Sequence, residues 1–425
     1  MNIGIMEKKM NLLFLDAYFE PEIIAYTHLE KDLIQGLIEG NNHIQVICPI
    51  PTKGISDSVR NEYAGRKREE LYGGRVKVRR FWAPRESKKT ILRALRYFWC
   101  NLRSYQIGAS VKSADLVFSA STPPTQGLLS AMIAKKLSKK YKRNIPFVYD
   151  LQDVFPDSLV NAGMTKQGSL LWKIGRKTED YTYRNADRVI AISEGFKRNI
   201  IAKGVPEDKI TVVSNWIDVN AVQPVEKENN SLYDDFGIDR NKYTVVYAGN
   251  FGATQGADIV LEVAEKLKDM ADIRFVIFGG GAYFEDAKIR AASLPNVIIH
   301  GLLPQERVPE VYSLGDVALI TCKPGTGNAG MPSKIWSIMA CNTPIIASFD
   351  IDSDLADVLR LSGAGKCVQP GNAEVLAEAI KEAYIDSCSI GKKSSTDIRR
   401  YIIQNASKDV CVNKYVETIM SAVKH

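Results

Sequence analysis

The stretch GMPSKIWSIMACNTPIIAS, Gly330 to Ser348, is the most informative part of this chain because it holds a small-residue turn, a lysine, an apolar helix and a buried strand in one unit. Ser333 is a good N-cap and Pro332 keeps a helix from running through, so we expect a helix to begin near Ser333. Residues 344–347 then predict a short buried strand. Helix-start N–H groups and Lys334 would meet at one point, which favours an anion, and we expect a phosphate there.

Two further strand-to-helix turns are rich in glycine. One follows a strand that starts at Thr244, includes Asn250 and Gln255, and precedes an amphipathic helix from Asp258. The other, FGGGAYF, departs from G-x-G-x-x-G and is a weak dinucleotide signal. Glycine lets the backbone approach a ligand closely, although any α/β protein has such turns. The glycines are Gly249, Gly252, Gly256, Gly279, Gly280 and Gly281.

Length and composition describe a two-domain globular protein. The chain has 425 residues, 45% hydrophobic and 25% charged, which is too long for a single core. There is no apolar window long enough to predict a spanning helix, and the first ten residues are too short and too charged for a secretory signal. The seven cysteines are scattered without a C-x-x-C pair, so we expect reduced thiols and no zinc site.

Charge is divided unequally along the chain. Residues 1–225 hold 35 Lys and Arg against 23 Asp and Glu, a net charge of +12, whereas the remainder carries −5. The excess is greatest in residues 51–100, where 14 basic residues face 5 acidic ones. Nucleic acid, an anionic membrane surface and a phosphorylated acceptor are the partners that such a half could take.

Apolar strands alternate with helical stretches in both halves, which predicts two parallel-sheet α/β domains. We place an N-terminal domain at 1–222, a polar linker at 223–242 and a C-terminal domain at 243–425, with the last helix a candidate for packing back on the first domain. Ligands of open α/β sheets bind beyond the strand carboxyl ends, so we expect the site in a cleft between the domains.

One segment, KKTILRALRYFWCNLR at Lys88–Arg103, predicts a basic amphipathic helix. Its apolar side would carry Trp and Phe among aliphatic residues, and basic residues flank that side. Such a helix suits the interface of an anionic membrane. The alternative is a helix that packs its apolar side into the core and exposes its basic side to solvent. The apolar residues are Ile91, Leu92, Leu95, Phe98, Trp99 and Leu102; the basic ones are Lys88, Lys89, Arg93, Arg96 and Arg103.

Several segments in order resemble GT-B-fold glycosyltransferases of the retaining family 4 type, over nearly everything after Met10. The resemblance implies an α/β GT-B fold of two Rossmann-like domains with the active site in the interdomain cleft. It also implies a nucleotide-sugar donor bound by the C-terminal domain. The segments are YFEPEIIAYTHLEKDL, ADRVIAISEGFKRNI, TVVSNWIDVNAVQP, YAGNFGATQGADIVLEVAEKL, FVIFGGG and GLLPQERVPEVYSLGDVAL.

Departures from the wider family narrow the resemblance. That family usually has Arg and Lys in the first glycine turn and two glutamates spaced eight apart before the small-residue segment. Here Asn250 and Gln255 stand at the first pair of positions, and Ala329 and Ser337 at the second. With PSK at 332–334 and DLQDVFPD at 150–157, the chain resembles the WbuB-like branch of capsule and O-antigen enzymes, associated with N-acetyl-L-fucosamine. Because both residue pairs are replaced, the contacts that the wider family makes with the sugar and the ribose do not carry over to this chain.

The candidate site residues follow from these segments. Lys334 is the expected main cation for the donor diphosphate, and Asp153, just past a strand end, is the expected carboxylate at the acceptor. Asp153 could instead cap the next helix. Asp350-Ile351-Asp352 matches the Asp-x-Asp string of metal-dependent transferases, but we expect no metal. The expected donor residues are Gly249, Asn250, Gly252, Gln255, Gly279, Gly280, Gly281, Met331, Pro332, Ser333, Lys334 and Ser337; the expected acceptor residues are Glu22, Thr27, Ser121, Thr122 and Asp153.

The function expected from the sequence is transfer of a sugar from a UDP-sugar to a lipid-diphosphate-linked saccharide, with retention of configuration and without cofactor or metal. We expect the protein in the cytoplasm, peripheral on the inner face of the cell membrane, with no nucleic-acid partner. The alternatives are a GT-B sugar-nucleotide epimerase, a non-catalytic sugar-nucleotide-binding subunit and a nicotinamide oxidoreductase. The oxidoreductase would need a clean G-x-G-x-x-G with an acidic residue about 20 positions on.

Overall fold

The chain forms two compact units. The structure, a computed structural model, describes residues 9–24, 26–87, 89–161, 163–327, 330–390 and 396–423. Unit 1 comprises the residues up to Ser214 and those from Cys411 onward, and unit 2 comprises Asn215–Val410.

Unit 1 contains an eight-stranded sheet whose strands are β1 (Asn11–Leu15), β2 (His43–Pro49), β3 (Arg68–Leu71), β4 (Val76–Phe81), β5 (Leu116–Ala120), β6 (Phe147–Leu151), β7 (Arg188–Ala191) and β8 (Ile210–Val212). The order is β3-β4-β2-β1-β5-β6-β7-β8. Only the edge strand β3 is antiparallel to its neighbour. The other seven strands therefore present their carboxyl ends on one edge.

Helices flank this sheet: α1 (Thr27–Glu39), α2 (Asp57–Ala64), α3 (Thr90–Gly108), α4 (Gln126–Tyr141), α5 (Asp157–Asn161), α6 (Leu170–Asn185) and α7 (Glu194–Ala202). Apolar residues of α3, α4, α6 and α7 join one core with residues of β1, β5, β6 and β7. None of the helices in the described ranges is long and apolar enough to cross a membrane.

Unit 2 contains a six-stranded, wholly parallel sheet in the order β11-β10-β9-β12-β13-β14. Its strands are β9 (Tyr243–Asn250), β10 (Ile273–Gly280), β11 (Val297–Gly301), β12 (Val317–Thr321), β13 (Ile345–Ser348) and β14 (Gly365–Val368). The remaining helices are α8 (Leu232–Asp235), α9 (Asp258–Lys266), α10 (Phe284–Ala291), α11 (Val308–Ser313), α12 (Lys334–Ala340), α13 (Asp354–Ser362), α14 (Ala373–Ile390), α15 (Thr396–Asn405) and α16 (Lys408–Ser421).

The central strands of unit 2, β9, β10, β12 and β13, are mostly apolar because both faces of the sheet are covered there. In β9, Val246 joins one core, whereas Val245 and Tyr247 join the core on the other face. The helix α12 places Ile335 and Ile338 in the first of these cores. That packing fixes the direction in which Lys334, at the start of α12, can extend.

The segment 223–242, expected to be a polar linker, packs on unit 2 instead. It carries the short helix α8, and Leu232 and Tyr233 are buried in a core of unit 2. Asn230 donates a hydrogen bond to the carbonyl of Glu310 at 2.7 Å. A few apolar anchors thus hold a segment whose overall composition is polar.

The division between the units near the C-terminus lies inside a helix, α16. Its residues in unit 1 include the buried Val412, Tyr415 and Ile419. A Cβ on Gly36 of α1 would lie 2.4 Å from a methyl carbon of Val412, so this part of α16 packs closely on α1. The C-terminal segment is therefore part of the core of unit 1.

Buried carboxyl groups lie beneath this segment. The Tyr415 hydroxyl donates to Asp150 Oδ1 at 3.0 Å, and burial raises the pKa of Asp150 to about 6. Burial also raises the pKa of Asp16 to about 7 and that of Glu30 well above its usual range. A hydrogen bond joins the Asp16 and Glu30 carboxyls. We call Asp16, Glu30 and Asp150 the buried acid cluster.

Replacing Ile419 with alanine should destabilise unit 1, because Ile419 is fully buried on α16. We expect a loss of about 2–5 kcal/mol in the free energy of unfolding, measured by denaturant unfolding of the full chain. The matched control is Ile174→Ala on the exposed side of α6, where Ile174 is 54% exposed and the change should stay within about 0.5 kcal/mol. Equal losses in the two variants would contradict the packing of α16 on unit 1.

Replacing Asp16 with asparagine should stabilise the protein increasingly as pH rises. A carboxyl whose pKa is raised by folding favours the folded state at low pH, and that contribution is lost as pH rises through the folded pKa. The Asp16 carboxyl should lower the stability of the wild type by up to about 1.4 kcal/mol per pH unit between about pH 4 and pH 7, and Asp16→Asn should lack this contribution. Thermal unfolding at pH 5 and pH 8 checks this, and an equal difference between the two proteins at both pH values would refute it.

Candidate active site

The ammonium of Lys334 lies at the carboxyl end of β9. Its Nζ is 3.4 Å from the carbonyl oxygen of Ala248 and 4.4 Å from the centre of the Tyr247 ring. A Cβ on Gly249 would approach Nζ to 3.0 Å, so glycine there leaves room for the lysine. Burial lowers the pKa of Lys334 to about 8. In the part of the chain that the structure describes, Lys334 forms no ion pair, which leaves its charge available to an anion.

The first glycine turn is filled by amide side chains. A Cβ on Gly252 would lie 2.5 Å from Gln255 Oε1 and 2.6 Å from Asn250 Nδ2, and one on Gly281 would lie 1.9 Å from Asn250 Oδ1. The amides of Asn250 and Gln255 therefore converge above Gly252, and Asn250 also occupies the space over Gly281. The glycines of two different turns make room for one polar side chain.

The other predicted donor residues lie around Lys334 and β10. Ser333 precedes α12, but the expectation that it caps the helix is wrong: Ser333 has helical dihedral angles and its hydroxyl makes no cap hydrogen bond. Met331, Pro332 and Ser337 are half-buried, and Ser337 follows Lys334 by one helical turn. Gly279 leaves room for the rings of Phe284 and Phe251, and Gly280 faces Leu302. The predicted Ala329 position lies outside the described residues.

The Asp350-Ile351-Asp352 string begins with a carboxylate that organises a loop. Asp350 Oδ1 accepts the N–H of Gly325 at 3.0 Å, and Oδ2 accepts the N–H of Gly327 at 2.7 Å. Both oxygens thus hold the loop after β12, which is the loop that leads to α12. No three His, Cys, Asp or Glu side chains within the described ranges are grouped so that they could hold a metal ion. Asp350 therefore has a structural role in this loop, and the absence of a metal stays a prediction.

In unit 1, Asp153 and Ser121 meet where β5 and β6 end. The buried Ser121 Oγ accepts the N–H groups of Gln152 at 3.0 Å and Asp153 at 2.9 Å. Burial raises the pKa of the Asp153 carboxyl, whereas hydrogen bonds from Ser158 and the Val154 N–H oppose that rise. These bonds are of the kind expected if Asp153 stabilises the start of α5, and the neighbouring Thr122 is exposed.

The carboxylate of Glu22 holds two loops together. It is 1% exposed, and it accepts hydrogen bonds from the N–H groups of Phe19, Thr52 and Lys53 and from the Thr52 hydroxyl. Thr27 begins α1, where its hydroxyl accepts the Ile24 N–H at 3.3 Å. Their predicted contacts with an acceptor stay predictions.

The helix expected at Lys88–Arg103 is α3, and Lys88 lies outside the described residues. The large apolar side chains of α3 are exposed: Ile91 by 76%, Leu95 by 59% and Phe98 by 70%. The alternative of a core-packed apolar side is therefore wrong. Trp99 donates a hydrogen bond to the carbonyl of Trp82 at 2.9 Å, which places a second exposed indole beside α3. The expectation that Arg96 flanks this side is also wrong, since Arg96 is 2% exposed.

The buried acid cluster is the group that sequence reasoning missed. Asp16 follows the last residue of β1, and Asp150 lies near the end of β6. A carboxylate directly after an apolar strand was the signal in the sequence. Glu30 had no such signal in the sequence, because its burial on α1 depends on tertiary packing.

Two family models match the chain, one on each side of the division between the units. Residues 31–216 match the glycosyl transferase 4-like domain, and residues 230–409 match glycosyl transferases group 1.

Curated relatives and solved structures agree with these matches. The probable glycosyltransferase WbjE of Pseudomonas aeruginosa is 25% identical, over 80% of this chain and 83% of that protein. The putative colanic acid biosynthesis glycosyl transferase WcaI of Escherichia coli K12 is 24% identical, over 64% of this chain and 67% of that protein. The structure of Anabaena HepE in complex with UDP superposes with a TM-score of 0.69 at 16% identity, covering 97% of this chain and 100% of that one. The chain is a glycosyltransferase with the GT-B fold, and its two halves match the glycosyl transferase 4-like and the group 1 models.

Proposed function

We propose that this glycosyltransferase moves a sugar from a UDP-sugar to a lipid-diphosphate-linked saccharide in the synthesis of a surface polysaccharide. The relative WcaI, named for colanic acid biosynthesis, supports the polysaccharide context, and the UDP complex of HepE supports the nucleotide. N-acetyl-L-fucosamine is the donor sugar that we propose first, from the resemblance of residues 150–157 and 332–334 to WbuB-like enzymes.

The observation that carries the proposal is the enclosed ammonium of Lys334 beside the Gly249 turn. A diphosphate placed there would accept hydrogen bonds from Lys334 and from the amide groups of Asn250 and Gln255. Neutral amides in place of two cations leave Lys334 as the main source of positive charge. We propose that the reaction needs no metal ion, since the Asp350 oxygens are bonded to backbone N–H groups.

The proposed reaction breaks the bond between the sugar C1 and the UDP oxygen and forms one between C1 and the acceptor oxygen on the same face. The acceptor proton passes to the departing diphosphate. Negative charge develops on that diphosphate, and a preorganised cation stabilises it more in the transition state than in the bound donor. Asp153, held by Ser121, would orient the acceptor hydroxyl.

The exposed side of α3 supports action at an anionic membrane surface, which would be the inner face of the cell membrane. Aromatic and aliphatic side chains stand there beside Arg93 and Arg103, and the Arg103 guanidinium lies 5.9 Å from the Trp99 ring. An interfacial helix needs this combination of apolar area and positive charge. A soluble epimerase would have no use for it.

Replacing Lys334 with methionine should weaken UDP binding about 10- to 100-fold, since one charge-assisted contact contributes about 1–3 kcal/mol. The wild-type affinity should also fall between pH 7.5 and pH 9, because the pKa of Lys334 is about 8 and the ammonium loses its proton in this range. The Lys334→Met variant should show no such fall. Calorimetric titration with UDP, with and without EDTA, measures all three effects.

The matched control for that titration is Lys268→Met, which removes an exposed lysine just beyond the carboxyl end of α9, away from the Gly249 turn that precedes this helix. Lys268→Met should bind UDP as the wild type does. If Lys334→Met binds UDP as tightly as the wild type, Lys334 does not belong to the donor site. If EDTA abolishes UDP binding, the proposal of a metal-free reaction is wrong.

Replacing Leu95 and Phe98 together with serine should reduce binding to vesicles that contain phosphatidylglycerol at least about 10-fold, because two exposed apolar side chains would no longer enter the interface. Both residues project from α3, so the fold should persist. The control is Ile289→Ser on α10 of unit 2, where Ile289 is 74% exposed. Vesicle co-sedimentation measures the effect, and equal binding of all three proteins would argue against α3 as the membrane contact.

A further inference from the structure

A buried guanidinium on the inner side of α3 has no carboxylate partner among the described residues. Arg96 is 2% exposed; its Nε donates to the Pro84 carbonyl at 3.0 Å and one terminal nitrogen donates to the Thr52 hydroxyl at 3.0 Å. The other terminal nitrogen, Nη1, is buried and has no hydrogen-bond partner. Throughout the described ranges, Arg96 forms no ion pair. Nearly all buried donors in proteins find an acceptor, so this one calls for an explanation.

Two further cations stand close to Arg96. Arg60 donates to the carbonyls of Pro51 and Ala83, both at 2.8 Å, and repulsion from Arg96 adds to the burial that lowers its pKa. Lys53 is exposed, and its Nζ lies 5.2 Å from the centre of the Tyr18 ring, which the Arg96 guanidinium also faces at 5.7 Å. We call Lys53, Arg60 and Arg96 the Arg96 cluster.

The nearby carboxylates are already engaged. Glu22 accepts four hydrogen bonds, one of them from the Thr52 hydroxyl that Arg96 contacts. Glu86 accepts from the Tyr18 hydroxyl at 3.2 Å and lies 3.9 Å from Arg93. Arg85 pairs with Asp57 at 2.8 Å. The Arg96 cluster therefore keeps excess positive charge.

The cluster lies just beyond the carboxyl ends of β1, β2 and β4, since Tyr18, Thr52 and Pro84 follow these strands by a few residues. Ligands of open α/β sheets bind at this edge. The helix that carries Arg96 exposes Leu95 and Phe98 on its other side. A phosphate attached to a long lipid would match both features, because it joins an anion to an apolar chain.

We propose that the Arg96 cluster binds a diphosphate group, which would be that of the lipid-linked acceptor, and this assignment of the ligand rests on the function proposed above. A phosphate oxygen beside Tyr18 supplies the acceptor that Arg96 Nη1 lacks, and Lys53 pairs with the same group. Planar guanidinium groups bind phosphate oxygens in pairs, which a lysine at position 96 could not reproduce.

The test is calorimetric titration of the full chain with inorganic pyrophosphate and with farnesyl diphosphate, both in the presence of saturating UDP so that the donor site is occupied. Arg96→Lys should weaken binding of the diphosphate about 10-fold and Lys53→Met about 5-fold. Lys112→Met, which removes an exposed lysine near the amino end of β5, should leave binding within about twofold of the wild type. Lys53 is exposed, so that variant remains informative if Arg96→Lys is destabilised.

The outcomes separate the possible sources of the diphosphate. Equal binding of both ligands supports a site for any diphosphate, and tighter farnesyl diphosphate binding assigns it to a lipid-linked one. Absence of binding by either ligand, or unchanged affinity in both cluster variants, overturns the proposal. UDP affinity and sugar transfer are measured on the same proteins. A wild type that binds the diphosphate but transfers no sugar would count against the proposed function and not against this site.

Discussion

Parallel pairing of the strands is the constraint on which the rest of this structure depends. In both sheets the carboxyl ends of the parallel strands share one edge, so loops distant in sequence end beside one another. In unit 2 this brings the Gly249 turn, the Gly281 turn and Lys334 together. In unit 1 it brings Ser121 to Asp153, and Thr52 to Arg96.

The two units use buried charge in different ways. Unit 2 encloses one ammonium whose pKa is lowered, so an anion that binds there restores a charge that burial disfavours. Unit 1 buries acids and a guanidinium separately. Burial raises the pKa of Asp16 to about 7 and that of Asp150 to about 6, whereas Arg96 retains a buried nitrogen that has no hydrogen-bond partner among the described residues. An arginine cannot avoid the cost of a buried charge by losing its proton, whereas a carboxyl can avoid that cost by gaining one.

Much of the fold could be predicted from the sequence because strands that are buried on both faces of a sheet have continuous apolar sequences. The strand predicted at 344–347 differs from β13 by one residue at each end, and the strand predicted to start at Thr244 begins at Tyr243. Three strands gave no such signal: β3 is Arg-Glu-Glu-Leu at an antiparallel edge, β4 alternates with basic residues, and β14 is a half-exposed strand of four residues. Their formation depends on neighbouring strands, which local sequence does not contain.

The fold class and the glycine turns could be read from the sequence, because spacing and residue type are local properties, and Lys334 as the cation of the donor half stays a prediction. Which charged side chains are buried depends on tertiary packing. Arg96, expected to flank the exposed apolar side of α3, is buried, and Glu30 and Asp16 come together from a helix and a strand end. Burial depends on what packs against a residue from distant segments, and that packing changes the pKa and the available partners of each group.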